Sequence, residues 1–535
     1  MRMRRGGAIV ALVALLALAT APDVHGFKEN DFKKCDTSSF CKRHRDRPEG
    51  ATREIYSIAG RWEPIAGGGG WGADLAAVGE TAPLRIEITP YGTEGVVRLR
   101  VDEPDHPRYV VPDVLVDDLA PSEFADVDRT AKGRTVFITK NADVDVVVTH
   151  APFRVALRVR GHETVVFNHR SLFQFEYKKA APTGEGESWS ESFNSHTDSR
   201  PNGPTALAFD VTFPDAEHVY GIPERATSLA LKETYANGAA VTEPYRMYNL
   251  DVFEYTAESP FGLYGSIPVM LAHAKVSGGG MFGKDVDTVT SGVYFHNPTE
   301  TYVDVSGGDK GGTGLKGGTR THWMAESGSF DLFIAPGPSP AAVIRQYTAL
   351  TGTTTMPPQF TLGYHQCRWN YRDEKDVAEV DAGFDAHEIP YDVLWLDIEH
   401  TDGKRYMTWD RAKFPTPQRM IEDVASRGRK MVTIVDPHVK KDGGYPVFKV
   451  RLFLFLYVVC AITLTSCFLR VHRRRRAKTF TSKKRTERRI STAGAGPGAP
   501  CTWTSPHRWC GTGGRVSSRW TSTRGAPRTC TYGTT

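Results

Sequence analysis

Two aspartates stand where an apolar run hands over to a loop, and their neighbours suit polar, pleated ligands. Asp397 closes the run Tyr391 to Leu396, and Asp436 closes Lys430 to Val435. At the end of a parallel barrel strand a carboxylate can accept hydrogen bonds from ligand hydroxyls, because loops and open backbone groups converge on that face. The same position also suits a carboxylate that merely caps the following turn. Around Asp397 the chain places Tyr391, Trp395, His400, Tyr406 and Trp409, flat faces with hydrogen-bonding tips of the kind that hold sugars. A second constellation sets Tyr245, Tyr248 and Tyr255 about Asp251, although an aromatic hairpin at a sandwich edge would use most of that stretch equally well. Metal chemistry is not indicated: His365, Cys367, His400 and His438 lack ligand spacing on one element, and no cofactor follows.

The elements that must position these groups are legible in the hydrophobic pattern. Phe360 to His365 reads as a strand, Glu374 to Ala386 as a polar helix, Tyr391 to Leu396 as a buried strand, Pro417 to Arg427 as a helix and Lys430 to Val435 as a further strand. Strand, helix and strand with short connections imply parallel crossovers. Upstream, from Tyr56 to about Ala335, runs such as LRIEITPY, VVRLRVDE, VDVVVTH and FRVALRVRG alternate between Gly, Pro and Asp turns without helices. That pattern predicts a large antiparallel sandwich. Pro340 to Tyr347 reads as a short helix with proline in its first turn, and Thr351 to Pro358 as a linker. The Gly67 to Gly70 and Gly307 to Gly318 stretches read as loops, since neither opens a helix that could cradle phosphate. The fold class expected is therefore multidomain: an N-terminal antiparallel β-sandwich over 56–355, then the start of a (β/α)8 barrel over 356–449.

VLWLDIEHTDGKRYMTWD and GYHQCRWNYRDEKDV closely resemble the start of the catalytic barrel in glycoside hydrolase family 31, and FKKCDTSSFCKRHRD resembles the mature start of its endoplasmic reticulum branch. The resemblance covers Phe27 to about Lys449 and stops there. It implies a galactose mutarotase-like sandwich and retaining hydrolysis of alpha-glucosides by two carboxylates, a nucleophile and an acid/base. It assigns substrate-binding roles to Asp251 and Asp397, with Ile398 in the pocket wall, and leaves Asp436 and His438 as rim residues that could equally be structural. Both hydrolytic carboxylates fall beyond Lys449 in the family's order; the chain as written carries neither, so no catalytic residue is assigned and an inactive product is expected. The implied partners are a glucosylated N-glycan and a beta subunit bearing the retention signal. Lysosomal and digestive relatives carry a cysteine-dense trefoil module that is absent here, which points to the endoplasmic reticulum lumen.

The charge balance agrees with that division. Of 67 basic and 62 acidic side chains, positions 450–535 hold 17 basic ones against a single acid, Glu487, so the net +5 hides an acidic body. The basic total therefore carries no message about nucleic acid. Positions 1–26, with Arg2, Arg4 and Arg5 before the apolar run Ala8 to Ala19, read as a secretory signal. In an oxidising compartment Cys35 and Cys41, within the Cys-containing segment 27–55, are close enough for a local disulfide, while Cys367 reads as a single buried thiol. The sequon Asn297-Pro298-Thr299 is blocked by its proline.

Two readings compete for 450–535. Leu452 to Leu469 is apolar and is followed by Arg470 and Arg473 to Arg476, which taken literally is a short membrane span with a positive flank. On that reading the chain is a non-catalytic, membrane-tethered carbohydrate-binding protein. The other reading is translated intron followed by a frame-shifted exon. Val450-Arg451 can be encoded by a splice-donor sequence, Ile490 to Gly498 can be re-read as Leu-Asp-Gly-Trp-Cys-Trp-Pro-Gly, and Thr529 to Thr535 as Leu-Tyr-Val-Trp-Asn-Asp, the family's nucleophile motif. A barrel with three strands would leave parallel edges unpaired and be unstable relative to a complete one.

Overall fold

A computed structural model describes residues 29–46, 56–77, 83–178, 189–200, 203–250, 252, 255–259, 261–277, 286–307, 318–436 and 439–450. The chain divides into two compact units, Met1–Thr354 and Thr355–Thr535. Asp251, His438, the signal-like residues 1–26 and the whole of 451–535, including the apolar run Leu452 to Leu469, lie outside the described residues. Among those described, no helix is long and apolar enough to cross a membrane.

In the first unit, alternation writes the sandwich directly. Along Leu84–Tyr91 the side chains of Leu84, Ile86 and Ile88 are buried while Arg85, Glu87 and Thr89 are partly exposed, the period of two that a strand imposes. Among the described residues one sheet has eight strands, ordered Tyr56–Pro64, Trp71–Ala77, Leu84–Tyr91, Val96–Asp102, Phe330–Ala335, Val286–Phe295, Val269–Ser277 and Ala216–Gly221. The other has ten, running from Tyr245–Met247 through Thr301–Gly307, Gly318–Ala325, Leu207–Pro214 and His162–Phe167 to Asp126–Asp128. Neighbours such as Leu207–Pro214 and Gly318–Ala325 pair antiparallel. Side chains of both sheets share one core, in which Phe209 stacks on Trp323 at 5.9 Å and meets Phe330 edge-on at 5.0 Å. The LFQFEYK run yields only a two-residue strand, Gln174–Phe175.

Before the sandwich, Cys35 and Cys41 form the expected disulfide, and the helix Ser39–Arg45 starts inside the closed loop and runs past it. After it, the helix Pro340–Thr351 extends past the predicted end at Tyr347. Ser339 caps it, accepting from the Ala342 amide at 3.2 Å, and Leu350 adds a buried contact to Tyr91, Tyr294 and Phe333 that rewards the extra turn.

The second unit is a three-stranded parallel sheet, His365–Gln366, Val393–Leu396 and Lys430–Thr433, linked by the helices Glu374–Ala386 and Pro417–Ala425. Asp373 caps the first helix by accepting from the Asp376 amide at 2.8 Å. The second stops short of the expected Arg427, and Gly428 turns the chain out at φ +80°. Phe360 to Leu362 is not strand but part of the 3-10 turn Gln359–Leu362. The Pro358 carbonyl accepts both the amide and the hydroxyl of Thr361, at 3.0 and 2.7 Å, which draws the backbone away from the sheet. The strand is the pair His365–Gln366, and Cys367, expected to be buried, lies exposed in the loop that follows.

Candidate functional site

The buried strand Val393–Leu396 delivers Asp397 at its C-terminal end, as its sequence predicts. The carboxylate first acts as a cap: one oxygen accepts from the Ile398 amide at 2.6 Å and opens the 3-10 turn Ile398–His400. Its other oxygen makes no hydrogen bond among the described residues, so a half-buried acceptor remains for a ligand. The turn itself is rigid. His400 donates from Nδ1 to the Asp397 carbonyl at 2.7 Å, the Thr401 hydroxyl donates to the Ile398 carbonyl at 2.7 Å, and the His400 ring packs edge-on against Trp409 at 5.1 Å. Burial holds the His400 imidazole below its ordinary pKa, opposed by its bond to Asp397, so the ring is a neutral Nδ1 donor here.

Trp395 ties adjacent strands together. Its Nε1 donates to His365 Nδ1 at 2.8 Å, and His365 Nε2 donates to the Thr361 carbonyl at 3.0 Å, which fixes the imidazole tautomer. Tyr406 is buried and donates its hydroxyl to Asp436, joining the loop after the second strand to the end of the third. Burial, then the facing carboxylate, raise the Tyr406 phenol well above its ordinary pKa. Arg405 holds Asp442 at 2.8 Å and Tyr445 donates to the Tyr406 carbonyl at 2.6 Å, so 402–410 is braced from 436–445. Asp436 thus has a structural partner of its own.

The aromatic ring around Asp397 is only partly as predicted. Tyr391 is buried on the helix side, where it donates to Asp381, packs on Phe384 at 4.7 Å and lies under Arg429 at 4.1 Å. It does not line a pocket at Asp397. In the first unit Tyr245 is also a core residue, its hydroxyl accepting from the Lys232 amide at 2.8 Å, whereas Tyr248 and Tyr255 are about half exposed. Asp251 itself is outside the described residues.

Sequence reasoning missed the clamp that sets the loop facing Asp397. Asp376 receives Arg368 Nη2 at 2.7 Å and both the amide and Nε of Arg372, at 2.9 and 3.2 Å. Arg372 above all holds the Asp376 carboxyl far below the usual range, against the opposing effect of burial. The four-residue spacings from Arg368 to Arg372 to Asp376 were the available signal. Beyond that clamp Trp369 is exposed and donates to Glu399 at 3.3 Å, and Glu399 is also paired with Lys404. Partial desolvation, then the charge of Asp397, raise the Cys367 thiol, which keeps it a neutral neighbour of the carboxylate. Among the described residues no three His, Cys, Asp or Glu side chains gather to hold a metal. What the arrangement can do is accept ligand hydroxyls beside flat faces, with charge-assisted bonds of about 1.5–3 kcal/mol each.

Residues 85–304 match the glycosyl hydrolase 31 N-terminal galactose mutarotase-like domain, and residues 354–454 match the glycosyl hydrolases family 31 TIM-barrel domain. The chain is 45% identical over 440 residues to a probable glucan 1,3-alpha-glucosidase of Oryza sativa subsp. japonica, covering 80% of this chain and 46% of that protein. To neutral alpha-glucosidase AB of Homo sapiens it is 38% identical over 510 residues, 85% of this chain and 51% of that one. A DNJ-bound crystal structure of glucosidase II alpha subunit superposes with a TM-score of 0.69 at 37% identity, over 79% of this chain and 48% of the other. The ER glucosidase II heterodimeric complex, a catalytic subunit with the binding domain of the regulatory subunit, gives 0.69 at 37% identity, over 78% and 48%. The chain spans about half the length of the curated relatives it matches.

Proposed function

The chain belongs to glycosyl hydrolase family 31, and on that premise we propose that it carries the sugar-binding side of an alpha-glucosidase that trims terminal alpha-linked glucose from N-glycans in the endoplasmic reticulum lumen. The observation that carries this reading is Asp397: a strand-end carboxylate with one oxygen satisfied by the Ile398 amide and the other free of hydrogen bonds among the described residues. Ile398 forms the adjoining wall, and Asp251 is a separate candidate acceptor for sugar hydroxyls on the family resemblance alone. The names of the similar proteins support the substrate class, and the heterodimer supports a glucosidase II beta subunit as partner. Complete enzymes of this type act by double displacement through two carboxylates. Positions 450–535 offer one carboxylate, Glu487, so we propose that these 535 residues bind glucose without cleaving it.

Calorimetric titration with 1-deoxynojirimycin, alongside glucose release from a nitrophenyl alpha-glucoside, tests both halves. Asp397→Ala should weaken binding by about ten- to hundredfold, the value of one charge-assisted bond. The parent chain should release no glucose. Binding that is indifferent to Asp397→Ala sinks the site, and turnover by the parent sinks the claim of binding without cleavage.

A further inference from the structure

Where the strand Tyr245–Met247 pairs with the start of Thr301–Gly307, the first unit carries a groove of about 410 Å³ whose described lining residues all belong to that unit. The volume lies within the roughly 300–1,000 Å³ of small-molecule clefts. Part of the lining is built from satisfied groups. Asn297 donates to the Ser327 and Ser329 carbonyls at 2.8 and 3.1 Å, and its Oδ1 accepts the amide and hydroxyl of Thr299 at 2.8 and 2.7 Å. These bonds fix the turn Asn297-Pro298-Thr299, and the Thr301 hydroxyl donates to the Thr299 carbonyl at 3.0 Å. An aromatic wall comes from Tyr248, which is 48% exposed. The Arg246 guanidinium lies 4.6 Å from the centre of that ring, and its Nε donates to Glu300 at 2.7 Å. Arg225 donates to the Arg246 carbonyl at 2.7 Å, so side chain and backbone of Arg246 are both anchored. One face of Tyr248 is thus taken by a held cation, which steadies the ring and leaves its other face for a ligand.

Two polar side chains in the lining are left over. The Asn249 amide and the Ser266 hydroxyl make no hydrogen bond among the described residues. Each can both donate and accept. Sugar hydroxyls do the same, whereas a carboxylate or phosphate only accepts. The charge agrees: among the described lining residues Glu300 is the one that is ionised, and Arg246 neutralises it. An anionic ligand would find no unpaired cation there. We propose that this groove is a second saccharide subsite, which takes one uncharged hexose against Tyr248, with hydrogen bonds to Asn249 and Ser266, and binds it without help from Asp397. The choice of a hexose rests on the functional reading above; the neutrality of the groove and its aromatic wall do not.

Ligand-observed NMR titration of the full chain tests the subsite, with methyl alpha-mannoside, methyl alpha-glucoside and glucose 6-phosphate as probes. All variants are made in the Asp397→Ala background, which silences the strand-end carboxylate. A neutral glycoside should still bind there, and Tyr248→Ala should weaken it by about tenfold, the scale of one lost aromatic contact. Tyr248→Phe keeps the ring face and should stay within about twofold of its background. Asn249→Ala and Ser266→Ala should each weaken binding by about two- to tenfold. Neither removes a described hydrogen bond, so both probe the groove without loosening the fold. Glucose 6-phosphate should bind more weakly than the neutral glycosides; tighter binding overturns the assignment to an uncharged sugar. Glycoside binding that Tyr248→Ala leaves unchanged, or that Asp397→Ala alone abolishes, overturns the second subsite, and in the latter case the functional reading stands. Tyr248-dependent binding together with a 1-deoxynojirimycin affinity indifferent to Asp397→Ala keeps the subsite and removes that reading.

Discussion

Tyr406 donates its hydroxyl to the carboxylate of Asp436, and so the loop that follows the Val393–Leu396 strand is bound to the end of the Lys430–Thr433 strand. Neighbouring strand ends in this unit are joined by side chains beyond the backbone ladder.

Tyr406→Phe should therefore leave a strand-end carboxylate without its donor and cost about 1–3 kcal/mol in urea unfolding of the second unit. The phenol's raised pKa adds a pH signature. The fold favours neutral Tyr406, so its contribution is complete below the unfolded value of about 10 and is lost as pH rises above it. The parent should lose stability above about pH 10 more steeply than Tyr406→Phe. Parallel alkaline profiles would contradict this.

Asp376 gives the opposite dependence. Its carboxyl is depressed by Arg372 and Arg368, so its contribution is present above the unfolded value of about 3.9 and is lost as pH falls below it. Acidification should loosen the loop carrying Cys367 and Trp369 before the sandwich unfolds. Asp376→Asn should show that looseness already at neutral pH, read as a shifted Trp369 fluorescence maximum with little further change on acidification.

In the sandwich, Arg98 grips Asp331 through bonds of 2.7 and 2.6 Å, and His296 adds a third at 3.0 Å. The Asp331 side chain is fully buried. Arg98→Ala leaves that carboxylate with one histidine and should cost about 3–5 kcal/mol, as when one partner of a buried pair is removed. Thermal unfolding of the first unit measures it, and a shift no larger than that of an exposed Arg160→Ala control would refute it.

For positions 450–535, we expect transcript sequencing to find a spliced message in which the motifs hidden in the alternate frame become continuous with Lys449. A message without that splice, together with resistance of the protein to alkaline extraction from membranes, would favour the anchored reading of Leu452 to Leu469.

Much of this architecture was legible because backbone geometry repeats over short distances. A strand alternates every residue and a helix turns every 3.6, so Leu84, Ile86 and Ile88, the helix Glu374–Ala386 and the placing of Asp397 after a buried strand follow from local order alone. The spacing of Cys35 and Cys41 was similarly sufficient. Direction was not legible. Tyr391 lies six residues before Asp397, yet it serves the helix side through Asp381 and Arg429, and Cys367, just past the strand His365–Gln366, is exposed. Nor were the pairs that close long loops: Phe32 with Phe261, Arg45 with Asp304 and Tyr406 with Asp436 have no common period. Their meeting depends on how whole sheets and crossovers bring distant segments into register, which only the folded chain decides.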